Sequence, residues 1–160
     1  MKILGIDPGL KATGYGFIEY RNDRSRLIEA GVIEPKPRDP FPQRIETLYR
    51  NLRELMEFHR PQVLVLEKLY AHYKHPTTAC IMGHARGVIC LLCAQLKVRF
   101  EECSVKRIRQ AVVGNGNASK EQTLSMVGRI LQIDGEKLTL DASDALALAL
   151  GYVHFLRRKI

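Results

Sequence analysis

No stretch of this 160-residue chain approaches the roughly 20 consecutive apolar residues of a membrane span, and no basic segment followed by an apolar run opens it. Neither a membrane anchor nor a secretory leader is expected, so the chain reads as a soluble, intracellular protein. Acids are in the minority: 17 Asp and Glu stand against 25 Lys and Arg, a formal charge of +8. That balance favours a polyanionic partner such as nucleic acid over an acidic small molecule, although excess positive charge also serves solubility. Cysteine is scarce as well. Cys80, Cys90, Cys93 and Cys103 lie among apolar neighbours in a chain large enough to need no disulfide staples, and they read as reduced core residues. Cys90 and Cys93 have a zinc-like spacing, but they sit inside a long apolar helical pattern with no second pair to complete a site. No internal repeat or low-complexity tract appears, and nothing marks a second domain; residues 1–160 are expected to form one.

What is present is a regular alternation of short apolar runs and helical patterns. Residues 2–7, 14–20 and 27–33 read as three strands separated by turns rich in Gly, Asn and Asp, the mark of an antiparallel meander. Pro35, Pro37 and Pro40 then remove the donors that a continuing ladder needs. Ile45, Leu48, Leu52, Leu55 and His59 recur at helical spacing, and Pro61 ends that helix. Val63–Leu66 is a continuous apolar run of the kind buried on both faces of a sheet. A polar, aromatic and basic loop, 70–76, leads to a helix from Pro76 through Lys97, since proline suits a first helical turn. That helix is apolar on more than one side, so one face is expected to pack on the sheet and another on a second subunit; deep burial within a monomer is the alternative. A strand at 98–102, a helix from Ser104, a helix capped by Ser119 and running to Leu131, and a last helix from Asp141 complete the chain. The order predicts an α/β domain with a five-stranded mixed sheet flanked by helices, the arrangement of ribonuclease H-like folds.

Two of the buried strands end on acids, Asp7 and Glu67, and the last helix begins with Asp141 and Asp144, three apart on one face. Acids in a first turn interact well with the helix dipole, and the pair alone needs no metal. The full set is different. Four carboxylates meeting at one end of a sheet would repel one another and raise each other's pKa unless a cation sat among them. Oxygen ligands without His or Cys select magnesium or manganese over zinc. Two such ions, about 3.5–4 Å apart, serve in-line displacement at phosphorus. A basic chain with a clustered acidic site thus points to metal-dependent phosphodiester cleavage.

The segments "GIDPGLKATGYG" around Asp7, "LEKLY" around Glu67, "GHARGV" at 83–88, "IRQAVVGNGNASKEQ" at 108–122 and "DASDALALAL" at 141–150 resemble the RuvC crossover-junction endodeoxyribonuclease family of bacterial Holliday-junction resolvases. The resemblance covers nearly the whole chain, in the same order and with comparable spacing. It implies a cytoplasmic homodimer on a ribonuclease H-like fold that cuts two strands of like polarity at a four-way junction, with Mg²⁺ as cofactor, two ions per site, and Mn²⁺ as substitute. It also implies the branch-migration complex RuvA-RuvB as partner. The family's four catalytic and metal-binding acids fall on Asp7, Glu67, Asp141 and Asp144. Its aromatic residue near the junction centre falls on Tyr70, and its basic DNA contacts fall on Arg109 and Lys120. Arginine at 109 stands where some members carry lysine, which alters phosphate geometry.

Further basic side chains, Lys74, Arg86 and Lys106 foremost, with Arg107, Arg157 and Arg158, are candidates to track phosphates. His72 and His75 occupy the same loop as Tyr70, but surface-loop histidines more often have no such role. Two other readings compete. Asp-x-Gly before a glycine-containing hairpin also resembles the phosphate loop of actin-like and sugar-kinase ATPases, which need two such domains around the nucleotide. A non-catalytic DNA-binding relative would be marked by loss of acids, and all four are present.

Overall fold

The computed structural model describes residues 1–9, 11–68, 76–134 and 137–157. Strands β1 (Lys2–Asp7), β2 (Thr13–Arg21) and β3 (Arg24–Ile33) form the meander. Asn22 and Asp23 join β2 to β3 with φ of 50° and 59°, the left-handed pair that a two-residue hairpin of matching twist requires. Because the turn is that short, β3 starts at Arg24 rather than at 27. Helix α1 (Phe41–His59) buries Leu48, Leu52, Met56 and His59, and Arg60 closes it in the left-handed conformation just before Pro61.

Strand β4 (Val63–Glu67) follows, then α2 (Pro76–Gln95), β5 (Arg99–Cys103), α3 (Val105–Val113), α4 (Lys120–Leu131) and α5 (Leu140–Arg157). Helix α2 stops two residues before the expected Lys97, which takes a φ of 54° and turns the chain back into the sheet. The β5 ladder is correspondingly shifted by one residue from 98–102. The sheet order is β3-β2-β1-β4-β5. Pairings within the meander are antiparallel, and β1-β4 and β4-β5 are parallel, so the sheet is mixed as expected.

Successive side chains of β1 and β4 point to opposite faces, and both faces are covered. Ile3, Val63 and Val65 pack under α3, α4 and α5. Leu4, Ile6, Leu64 and Leu66 pack under α1 and α2. Two-sided burial is why both strands are apolar without alternation.

Glycines set how closely α5 lies on the sheet. A Cβ at Gly5 would sit 1.9 Å from the Ala145 carbonyl oxygen, and one at Gly14 would sit 2.1 Å from that of Asp141. Backbone therefore rests on backbone, with Ala142, Ala145 and Ala149 of α5 buried in the contact. This close seating brings the first turn of α5 to the end of the sheet where β1 and β4 finish.

Candidate active site

Asp7 is the last residue of β1, and Glu67 is the last residue of the neighbouring parallel strand β4. Parallel pairing puts both strand ends on the same side, and the two carboxyl groups lie within hydrogen-bonding reach of each other. Asp144 enters from α5, whose start is capped by Thr139: its hydroxyl oxygen accepts from the Ala142 amide at 3.2 Å. Asp7, Glu67 and Asp144 line one cavity of about 240 Å³, floored by Val105, Ile108, Ala147 and Leu148 and rimmed by Arg109, Lys120 and Thr123. Asp141 stands over Gly14, outside that lining but near enough to act on Asp7 electrostatically. Thus the structure brings three of the predicted acids into one cavity and leaves the fourth at its margin.

Electrostatic strain follows from this placement. Burial, then the neighbouring Glu67 and Asp144, push the Asp7 carboxyl up to about 7, with Lys120 partly opposing them. Glu67 is also raised, chiefly by burial, while its hydrogen bond with Asp7 pulls the other way. One proton shared between Asp7 and Glu67 fits both directions.

Lys120 is the nearest counter-charge. Its Nζ pairs with Asp144 Oδ2 at 2.7 Å, and that hydrogen bond raises the ammonium pKa. The loop before α4 aims it there. Gly114, at a φ of 84°, turns the chain at the end of α3. The Gln110 side chain then ties the loop from both sides, donating to the Gly114 carbonyl at 2.8 Å and accepting from the Gly116 amide at 3.1 Å. Ser119 and Gln122 complete a reciprocal capping box at the start of α4. The capping serine was legible in the sequence; the Gln110 tether and the buried Thr123 beside the acids were not, because neither carries a motif of its own.

The donor set suits a hard divalent cation. It consists of carboxylate oxygens, with no imidazole or thiol lining the cavity among the described residues, and burial foremost, then neighbouring acids, raises Asp7 and Glu67. No three acids among the described residues are gathered closely enough to hold an ion as they stand, and Asp144 is engaged with Lys120.

The other predicted contacts divide. Arg109 lines the acidic cavity and lowers the Glu67 pKa. Lys106 lies on the other side of α3, exposed, with Arg107, whose guanidinium stacks 4.8 Å from the Phe155 ring centroid. Arg86 turns inward: Nη1 donates to the Glu67 carbonyl oxygen at 2.5 Å and Nη2 pairs with Glu102. Arg157 is engaged with Tyr20 and Asp23. Tyr70, His72, Lys74, His75 and Arg158 lie outside the described residues. Among the described residues, no helix is long and apolar enough to cross a membrane.

A five-stranded mixed sheet with acids at the ends of two adjacent parallel strands and at the head of an apolar helix defines the class: a ribonuclease H-like domain. The profile of the family described as "Crossover junction endodeoxyribonuclease RuvC" matches residues 3–152. The chain belongs to that family. It is 40% identical over 148 residues to the crossover junction endodeoxyribonuclease RuvC of Rhodopirellula baltica, covering 92% of this chain and 83% of that protein. The corresponding protein of Alkalilimnicola ehrlichii is 39% identical, with 96% and 91% covered. Among solved structures, Thermus thermophilus RuvC in complex with a Holliday junction substrate superposes with a TM-score of 0.91 at 26% identity, covering 99% of this chain and 96% of that one. The kinase-like alternative finds no support beside this family match.

Proposed function

We propose that this chain resolves four-way (Holliday) junctions in recombination and DNA repair, nicking two strands of like polarity as a magnesium-dependent homodimeric endonuclease of the bacterial cytoplasm. The observation that supports it most is the convergence of Asp7, Glu67 and Asp144 on one small cavity, with Asp141 at its margin and two cations, Arg109 and Lys120, on its rim. Asp7, Glu67, Asp141 and Asp144 are the residues that would hold two Mg²⁺ ions, with Mn²⁺ as substitute. When bound, such ions activate the attacking water and stabilise the leaving oxygen in displacement at phosphorus.

The chain's own groups supply the rest. Released from Asp144, Lys120 offers its ammonium to a backbone phosphate at the cavity mouth, and Arg109 adds a bidentate donor beside Glu67. Lys106 adds a further exposed cation, and Lys74 is a phosphate contact proposed from the sequence alone; together they give binding that weakens steeply with salt. Tyr70, which follows β4 in the sequence, is the residue to which the family resemblance gives base stacking at the junction.

Two equivalent cuts in one junction are most simply made by two identical sites related by a two-fold axis. Helix α2 carries the surface for that pairing: Cys80, Gly83, His84, Gly87, Cys90, Leu91 and Ala94 form one exposed, uncharged stripe. Gly83 and Gly87 have open space where a Cβ would stand, so a second helix can approach closely there. The branch-migration complex RuvA-RuvB is the proposed supplier of the junction.

A labelled four-way junction and a linear duplex, incubated with the protein with and without Mg²⁺, test the reading. Paired nicks confined to the junction and dependent on Mg²⁺ are expected. Asp7→Asn should slow cutting by at least about 10³-fold while junction binding stays measurable. A wild-type rate in that variant would remove Asp7 from the mechanism. Tyr70→Ala should reduce junction cutting more than duplex binding; equal losses would reduce the ring to packing.

A further inference from the structure

Arg86 is a buried charge that the sequence offers as a phosphate contact and the structure uses differently. Its side chain is only 12% exposed. It stands one residue past Ala85, which is buried with Ile89 in the core beneath the sheet, so its own backbone is firmly seated. From there the guanidinium reaches the end of β4, where it donates to the main-chain carbonyl oxygen of Glu67 and pairs with the carboxylate of Glu102 on β5. The next residue along, Lys68, donates its amide to the Cys103 carbonyl oxygen at 2.9 Å. Beyond that point the β1 ladder has already ended, its last pair with β4 being Ile6 and Leu66. Among the described residues, the main chain of Glu67 is therefore held on one side by β5 and at its carbonyl by Arg86.

We infer that Arg86 is a positioning residue for Glu67: a fork that fixes the carbonyl of the acid-bearing residue with one arm and is itself held by Glu102 with the other. This rests on the nuclease reading of the acidic cavity. The physical reason for arginine is its planar guanidinium, whose two arms bind two partners in fixed geometry; a lysine ammonium offers no such fork. A guanidinium this buried would be costly without its carboxylate partner, so Glu102 is part of the same device. The positive charge also lies on the main chain of Glu67, away from the cavity, where it cannot compete with a cation for the carboxyl oxygens.

The two roles open to Arg86 predict opposite results. As a positioning residue, Arg86→Met should slow single-turnover junction cutting about 10–100-fold and weaken Mn²⁺ binding to the DNA-free protein, read by loss of free-ion signal in electron paramagnetic resonance. Junction affinity in Ca²⁺ and its dependence on salt should be unchanged. Arg86→Lys should fail to restore the rate although it restores the charge. Glu102→Gln, which leaves an acceptor but removes the charge that holds the guanidinium, should slow cutting several-fold.

As a phosphate contact, Arg86→Met would instead flatten the slope of log affinity against log salt by about one, Arg86→Lys would largely rescue it, and Glu102→Gln would tighten junction binding. Any of these three results, or an unchanged cutting rate in Arg86→Met, overturns the inference. If Arg86→Met does not fold, Glu102→Gln decides alone: slower cutting at unchanged affinity supports the fork, and wild-type cutting or tighter binding removes it. If the wild-type protein binds Mn²⁺ yet cuts no junction, the nuclease reading fails, and the fork is still judged from the Mn²⁺ affinities of the variants.

Discussion

Helices α2 and α5 look alike in sequence, long, apolar and without a clean polar face, yet they meet different fates. Helix α5 is buried from Ala142 to Val153 at every residue but Asp144, which opens on the cavity, and it is seated on β1 and β2 with α3 and α4 at its sides. Helix α2 covers the opposite face beside α1 and leaves a stripe open from Cys80 to Ala94, with Leu91 half exposed. The lesson is that apolarity all round a helix states how much surface must be covered, not what covers it. For α5 the cover is its own sheet and two neighbouring helices; for α2 part of the cover is the proposed second copy.

The sharpest way to break the comparison is to disturb α5 where it touches the sheet. Gly5→Val puts side-chain atoms where the Ala145 carbonyl already stands. The variant should lose about 3 kcal/mol or more of stability, measured by denaturant unfolding, and lose cutting with it because Asp141 and Asp144 shift away from Asp7. A stable, active variant would mean that the close seating does not position the acids.

The matching change on α2 should behave differently. Gly87→Leu enters open space, and its better helix propensity adds up to about 1 kcal/mol to the monomer. In the proposed dimer it would force the helices apart, so sedimentation should show dissociation, as it should for the charge introduced by Leu91→Glu. Unchanged assembly in both variants would place the subunit interface elsewhere.

The smallest effect concerns pH. With Asp7 raised from its ordinary value of 3.8 to about 7, the folded protein keeps a proton in that window that the unfolded chain has already released. The unfolded state is then the one that gains from rising pH. The metal-free protein should therefore lose stability between about pH 4 and 7, by a few kcal/mol at most, and level off above. Melting temperatures in chelator should fall across that range, Asp7→Asn should flatten the trend, and Mg²⁺ should reverse it at neutral pH. At limiting Mg²⁺, cutting should rise through pH 7 as Asp7 ionises. A melting temperature that climbs from pH 4 to 7 in chelator would mean that Asp7 is not held protonated.

Much of this was legible in the chain. Continuous apolar runs ending on Asp7 and Glu67, the helix stop at Pro61, the helix start at Pro76 and the Ser119 cap are local signals, and each element they mark is present. The boundaries that moved did so beside left-handed residues: the Asn22–Asp23 pair, which makes the turn before Arg24 only two residues long, and Lys97, where a lysine gives no local sign of that conformation. At the site, the acids stood out by their places at two strand ends and a helix start, whereas Arg109 and Lys120 were marked only by the family resemblance. Arg86 looked like any other surface cation, since nothing in "GHARGV" shows whether a guanidinium faces solvent or a carbonyl 19 residues away.

The sequence by itself determined the elements, their order, the apolar strands and the acids that close them, because these follow from local periodicity and from the chemistry of single residues. Only the tertiary structure decided that Asp144 lies in the cavity while Asp141 stands beside it, that Lys120 answers Asp144, and that Arg86 spends its charge on Glu67 and Glu102. Those choices depend on distances between groups remote in the chain, set by how closely α5 rests on three glycines of the sheet, Gly5, Gly14 and Gly16.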